Sequence, residues 1–189
     1  MEELDFRLPD RIVCPVASGS LYTKIAKGFS EWKEAGLVDG ELPIMHGAQP
    51  LGCSPVAQAY KDEKTVCQPV KPDTLVTSLA IGNPADGVYA LEVARESGGS
   101  IEAVTDQEMK DGVRLLAETT GVFTESAGGV ATALLSRLAE EGKLGSQEEV
   151  VLYITGSGLK TAETIAGDDL LGLEIQPTVE SYDQIIEGS

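Results

Sequence analysis

At 189 residues the chain has the length of one domain or slightly more. With 42% hydrophobic and 24% charged residues it can bury a core, which excludes a disordered tail. Its 14 Lys and Arg against 31 Asp and Glu leave a net charge of −17, which excludes a non-specific nucleic-acid or anionic-membrane partner, since both require a basic face.

Ile12-Val13-Cys14-Pro15-Val16 is a short apolar run that fits a buried strand. It leads into four small residues, Ala17-Ser18-Gly19-Ser20. Leu21, Tyr22, Ile25, Phe29 and Trp32 then recur at helical spacing, with Gly36 as the stop. Leu42 to Met45 reads as a strand and Gly47 to Pro55 as a Gly/Pro-rich loop. Leu75 to Ile81 runs into Gly82-Asn83-Pro84, followed by a helix carrying Val88, Leu91, Ala94 and Arg95 that ends at Gly98-Gly99. Ile101 to Val104 is a strand, and Asp106 caps a helix with Met109, Val113 and Leu116 on one face. A further helix runs from about Ser126 to Gly142, with Val130, Leu134 and Leu138 inward. Val150 to Ile154 forms the last strand, before Thr155-Gly156-Ser157-Gly158 and a short helix. Residues 166–189 show no clear period and read as an acidic tail, peripheral or mobile.

Strands alternating with helices imply an α/β fold, a mostly parallel sheet flanked by helices. Ligands of such sheets sit beyond the carboxyl ends of the strands, which directs attention to the small-residue turns at 17–20 and 155–158. A strand-to-helix turn of small residues exposes backbone N–H groups at a helix start, an anion site most often used for phosphate. Ala17-Ser18-Gly19-Ser20 has that composition but matches neither a Walker motif nor G-x-G-x-x-G, so an ordinary tight turn is the competing reading. Glu125 stands before a helix start, where the dipole favours a carboxylate whether or not it takes part in chemistry. His46, the only histidine, follows an apolar strand and reads as a hydrogen-bonded structural residue. Cys14, Cys53 and Cys67 contain no C-x-x-C pair, so neither a disulfide scaffold nor a metal site is expected. No apolar run approaches the roughly 20 residues of a membrane span, and the Met1-Glu2-Glu3 start does not resemble a signal peptide, so a cytoplasmic location is expected. From composition and spacing the chemistry reaches a phosphate-bearing ligand in an α/β sheet.

Four stretches carry the reading further. Pro15-Val16-Ala17-Ser18-Gly19-Ser20-Leu21 with Lys27-Gly28-Phe29, Ser78-Leu79-Ala80-Ile81-Gly82-Asn83-Pro84, Thr124-Glu125-Ser126-Ala127-Gly128-Gly129 and Ile154-Thr155-Gly156-Ser157-Gly158-Leu159-Lys160 occur in this order across residues 11–165. Together they resemble threonine synthase, a pyridoxal 5'-phosphate family of the tryptophan-synthase-β-like fold type II. The resemblance implies that Val16, Ala17, Ser18, Gly19 and Ser20 cradle the cofactor phosphate. It implies that Thr155 sets its hydroxyl against the pyridine nitrogen and leaves that nitrogen unprotonated. Ile81, Gly82 and Asn83 would line the ring, and Glu125 would approach the cofactor from its helix start. The family converts O-phospho-L-homoserine and water to L-threonine and phosphate.

The family's Schiff-base lysine lies in a Ser-x-Lys-Asp motif in the first half of a chain about twice this long. Among the 9 lysines here, only Lys61 and Lys110 precede an aspartate, and neither has Ser two positions earlier. The resemblance therefore implies the large-domain, carboxyl-terminal part of the catalytic domain over residues 1–165, without a catalytic lysine. Such a chain is expected to be inactive alone and to need an amino-terminal half in cis or in trans, with a homodimer through an exposed sheet edge as a further outcome. The competing readings are a non-catalytic phosphate-binding half-domain and another fold-type-II enzyme such as threonine dehydratase.

Overall fold

The computed structural model describes residues 2–166 and 176–187. Four strands, β1 (Arg11–Pro15), β2 (Ile44–Pro50), β3 (Ser100–Val104) and β4 (Val150–Leu152), form one sheet in the order β3-β2-β1-β4. Every pairing is parallel, with Arg11 opposite both Ile44 and Val150, and His46 opposite Ser100.

The central strand explains its own composition. In β1, Ile12, Val13 and Cys14 are all fully buried, because a parallel strand covered on both faces needs apolar residues at consecutive positions. Ile12, Cys14 and Val16 pack with Tyr22, Met45 and Ile101 against α1 (Ser20–Glu34), α2 (Pro55–Lys61) and α3 (Gly87–Glu96). Val13 turns to the opposite face, where Ala48 and Val104 meet α4 (Asp106–Thr120) and α5 (Ser126–Glu140). Helices on both faces of a parallel sheet make three layers.

The structure corrects three sequence expectations. β2 extends through Pro50 into the stretch read as loop, because pairing with both β1 and β3 overrides the weak strand preference of Gly47 and Ala48. Helix α2, which the Gly/Pro content concealed, starts with Pro55 at its first position, where a missing N–H costs nothing. The cap of α4 is Thr105 rather than Asp106: its hydroxyl accepts from Glu108 N–H at 3.1 Å, and Glu108 accepts from Thr105 N–H at 2.7 Å. In the tail, Val179–Glu187 forms α7, while residues 167–175 lie outside the described residues. A short α6 (Ala162–Ala166) follows the turn after β4, as expected.

Candidate functional site

Adjacent parallel strands deliver their following turns to the same end of the sheet. β1 and β4 are neighbours, so residues 16–20 and Thr155 emerge side by side, with the start of α5 between them. A cavity of about 210 Å³ is lined there by residues 15–22, Ser78, Leu79, Glu125, Ala127 and Thr155. Larger hollows exist, such as one of about 490 Å³ lined by Lys27, Phe29 and Lys33, but it gathers none of the residues expected to bind a ligand.

The first wall is the β1–α1 turn. Val16 N–H bonds Ala48 O at 2.8 Å, and Val16 O accepts from Gln49 Nε2 at 3.3 Å, so the turn leaves the sheet from a fixed point. Ser18 O accepts from Asp86 N–H at 2.9 Å. Gly19 has φ +97°, and a Cβ there would lie 2.7 Å from Asp86 O, so both the backbone angle and the space require glycine. Helix α1 starts at Ser20 with no side-chain cap and no acidic residue in its first turn. Its first N–H groups have no helical acceptor, which suits them to an anion.

The second wall is built from α5 and the turn after β4. Thr124 pairs with Ser157, Glu125 N–H bonds Gly156 O at 3.0 Å, and Gly158 N–H bonds Phe123 O at 2.9 Å. Ser126 N–H bonds Thr161 Oγ1 at 3.1 Å. These bonds seat the Thr155 turn on the start of α5. Thr155 then donates its hydroxyl to Glu125 Oε1 at 2.7 Å, with Glu125 itself only 9% exposed.

Of the residues expected at the site, Val16, Ala17, Ser18, Gly19, Ser20, Glu125 and Thr155 come together. Ile81, Gly82 and Asn83 lie outside the cavity lining: Gly82 O accepts from Val70 N–H at 2.9 Å, and Ile81 is 39% exposed. Ser78 and Leu79, three to four residues earlier in the same stretch, line the cavity instead. Tyr22 and Ala127 were also not anticipated there. Ala127 could have been found from its place one helical position beyond Ser126, and Tyr22 from its place in the first turn of α1. No lysine is among the lining residues.

His46 lies at the opposite, amino end of the strands and is buried, as expected of a structural residue. Arg11 Nη1 lies 3.2 Å from its Nε2, and Ser100 Oγ lies 3.0 Å from its Nδ1. Arginine can only donate, so Nε2 accepts and the ring proton sits on Nδ1.

Residues 1–156 match the family model described as pyridoxal-phosphate dependent enzyme. A threonine synthase of Methanosarcina acetivorans is 40% identical over 165 residues, covering 87% of this chain and 40% of the relative. One from Methanocaldococcus jannaschii is 39% identical over 160 residues, covering 84% of this chain and 39% of the relative. The chain thus spans about 40% of the length of these curated relatives. Among solved structures, a fungal L-serine ammonia-lyase from Rhizomucor miehei superposes with a TM-score of 0.66 at 24% identity, over 88% of this chain and 52% of that one. The processed form of threonine deaminase isoform 2 from Solanum lycopersicum superposes with 0.63 at 15% identity, over 87% and 43%. The last two similarities carry the α/β fold alone, and the family match carries the cofactor class. A parallel sheet whose strand-to-helix turn, helix start and hydroxyl turn meet at one end, and a family match across residues 1–156, place this chain in the pyridoxal-phosphate dependent enzyme family.

Proposed function

We propose that this chain supplies the carboxyl-terminal part of a threonine synthase, which converts O-phospho-L-homoserine and water to L-threonine and phosphate. The observation that carries this reading is the meeting of residues 16–20, Glu125 and Thr155 around one cavity. The cradle fits a phosphate: the glycine-only geometry of Gly19 opens the first turn of α1, and the hydroxyls of Ser18 and Ser20 add donors. Pyridoxal 5'-phosphate, when bound, supplies an electron sink that makes protons of the attached amino acid removable. In this reading the turn at 16–20 anchors the phosphate, Thr155 meets the ring nitrogen, and Glu125 holds Thr155.

The covalent anchor comes from an amino-terminal half, in cis or in trans, which adds to the sheet at the outer edge of β4. A homodimer through that edge is the competing assembly. Residues 1–165 form the catalytic-domain part, and 166–189 a peripheral acidic tail. Among the described residues no helix is long and apolar enough to cross a membrane. A cytoplasmic location is part of this proposal, and it follows from the biosynthetic reaction proposed for the chain.

The chain is tested with and without the amino-terminal half of the Methanosarcina acetivorans relative, fused or co-expressed. The pair is expected to release phosphate and threonine from O-phosphohomoserine, and the chain alone to release none. Alone, after pyridoxal phosphate and borohydride, it should show only scattered substoichiometric labelling of surface lysines. Stoichiometric labelling of a single lysine would overturn the need for a second half. Release of 2-oxobutanoate from threonine by the pair would point to a dehydratase. Phosphate binding without turnover of either substrate would point to a non-catalytic half-domain.

A further inference from the structure

We infer that Ser78 is a further ligand-binding residue, whose hydroxyl bonds the ligand on the side remote from Thr155, where the amino-acid substrate joins the cofactor ring. This rests on the proposed cofactor site and adds a contact on the substrate's side of it.

Ser78 sits in a single 3₁₀ turn, Thr77–Leu79, within the long connection between α2 and α3. That connection is held at several points. Val70 N–H bonds Gly82 O and Asp73 N–H bonds Gly52 O, both at 2.9 Å. A Cβ on Gly52 would collide with Asp73 O, so only glycine lets the two backbones pass there. The Asp106 carboxylate accepts from Thr74 Oγ1 and Leu75 N–H, and Thr74 Oγ1 accepts from Val76 N–H at 3.2 Å. Val76 and Leu79 are buried in the same apolar cluster as Val104 and Ala127. The turn is thus fixed to the core, and Ser78 is the polar residue it presents to the cavity.

Short polar side chains in turns normally bond the backbone nearby. Ser18 and Ser157 accept from the N–H two residues on, and Ser54 and Ser97 donate to the carbonyl three residues back. Among the described residues the Ser78 hydroxyl has no such partner, although the turn that carries it is pinned. A fixed hydroxyl with its proton and lone pairs unspent is left for what the cavity binds.

Strand order gives the contact its direction. Thr155 follows β4, on one side of β1. The Ser78 turn is tied to the other side, through Gly52 just past β2 and Asp106 just past β3. With the phosphate at residues 16–20 and the ring nitrogen at Thr155, the ring carbon opposite that nitrogen points toward Ser78. That carbon bears the substituent through which the amino acid attaches, so Ser78 meets a polar atom there.

The test uses the full chain and three probes: inorganic phosphate, pyridoxine 5'-phosphate and 4-deoxypyridoxine 5'-phosphate. The last two differ only in a hydroxyl on the substituent of the carbon opposite the ring nitrogen. Titrations followed by the ³¹P shift give each dissociation constant. Ser78→Ala is expected to weaken pyridoxine 5'-phosphate about fivefold, the scale of one neutral hydrogen bond, and to leave the other two probes unchanged. Ser78→Thr, which keeps the hydroxyl, should retain most of the affinity. Urea midpoints of both variants should match the wild type, since no bond within the chain is lost. Equal weakening of both ring probes, or any weakening of inorganic phosphate, would overturn the inference, because the contact would then lie elsewhere. Unchanged affinity for all three, or a lowered urea midpoint in Ser78→Ala, would overturn it as well. A wild-type chain whose ³¹P shift responds to none of the probes would overturn the cofactor site itself, and this contact with it.

Discussion

Gln49 shows how one buried polar side chain supports a site it does not line. It is fully buried in β2, and its Oε1 accepts from Val56 N–H at 2.9 Å and Ala57 N–H at 3.0 Å, the first amides of α2. Its Nε2 donates to Val16 O, where the turn at 16–20 leaves β1. Gln49 thus ties a helix start, a strand end and the β1–α1 turn together. Gln49→Leu keeps the volume but orphans two buried donors and one acceptor, each costing about 1–3 kcal/mol when left unpaired. We expect a loss of at least about 2 kcal/mol in urea-denaturation stability, since the two amide donors alone account for that much at the low end of this range. A stability change below half of that would show that water replaces the side chain. No sequence pattern pointed to Gln49, because its strand was read as loop and its partners are distant in the chain.

At the scale of elements, α4 and the two sheet edges show different kinds of control. The start of α4 depends on local residues: Thr105 and Glu108 satisfy one another's N–H groups. Thr105→Ala should cost about 1 kcal/mol, measured as a lower urea midpoint with an unchanged denaturant slope. Asp106 was the expected cap because it too is a good capping residue. Its carboxylate instead accepts from Thr74 Oγ1 at 2.9 Å and Leu75 N–H at 3.3 Å, holding the connecting chain against α4. The edges are asymmetric. Along β3, Arg137 donates to Ala103 O at 3.0 Å and pairs with Glu102 and Glu108, which blunts that edge with charge. Along β4, Val150, Val151 and Leu152 are half-buried, and among the described residues no side chain caps their backbone. A Val-rich strand in a parallel sheet normally has neighbours on both sides, consistent with added pairing at β4.

For the whole molecule, the chain of polar groups at the amino end of the sheet sets a pH dependence. Burial and the neighbouring Arg11 hold His46 down to about 4, while Arg11 and Gly145 N–H hold Glu148 down to about 2. Arg11 grips both Glu148 oxygens, at 2.6 and 2.9 Å, and Ser100 links His46 to Glu102 at 3.1 Å. Because His46 titrates lower folded than unfolded, the unfolded chain binds more protons between pH 6.5 and 4. The stability from neutral His46 is fully present above about pH 6.5 and is lost as pH falls toward 4, by about 3 kcal/mol in all. Protonating surface carboxylates of a chain carrying −17 relieves repulsion and acts in the opposite direction. His46→Gln isolates the histidine: urea midpoints of the wild type are expected to fall more steeply than those of the variant between pH 6.5 and 4. Parallel curves would remove His46 as the cause.

The sequence alone determined the strand–helix alternation, because apolar runs of period near one and helices of period 3.6 are local signals that survive without tertiary context. Ile12–Val16, the Tyr22 and Leu134 helices, and the small-residue turns at 17–20 and 155–158 were legible in this way. Glu125 and Thr155 stood out as candidates from local position and resemblance. Strand order, however, is a non-local choice, and it is what brings residues 16–20 and 155 to one cavity. Pairing on both sides turned Gly47–Pro50 from loop into strand, and the pinning of Gly82 against Val70 left Ile81, Gly82 and Asn83 outside the lining that Ser78 and Leu79 complete. The direction of the Thr155 hydroxyl was beyond the sequence altogether, since a rotor with one proton takes its orientation from the nearest strong acceptor, and only the folded chain sets Glu125 there.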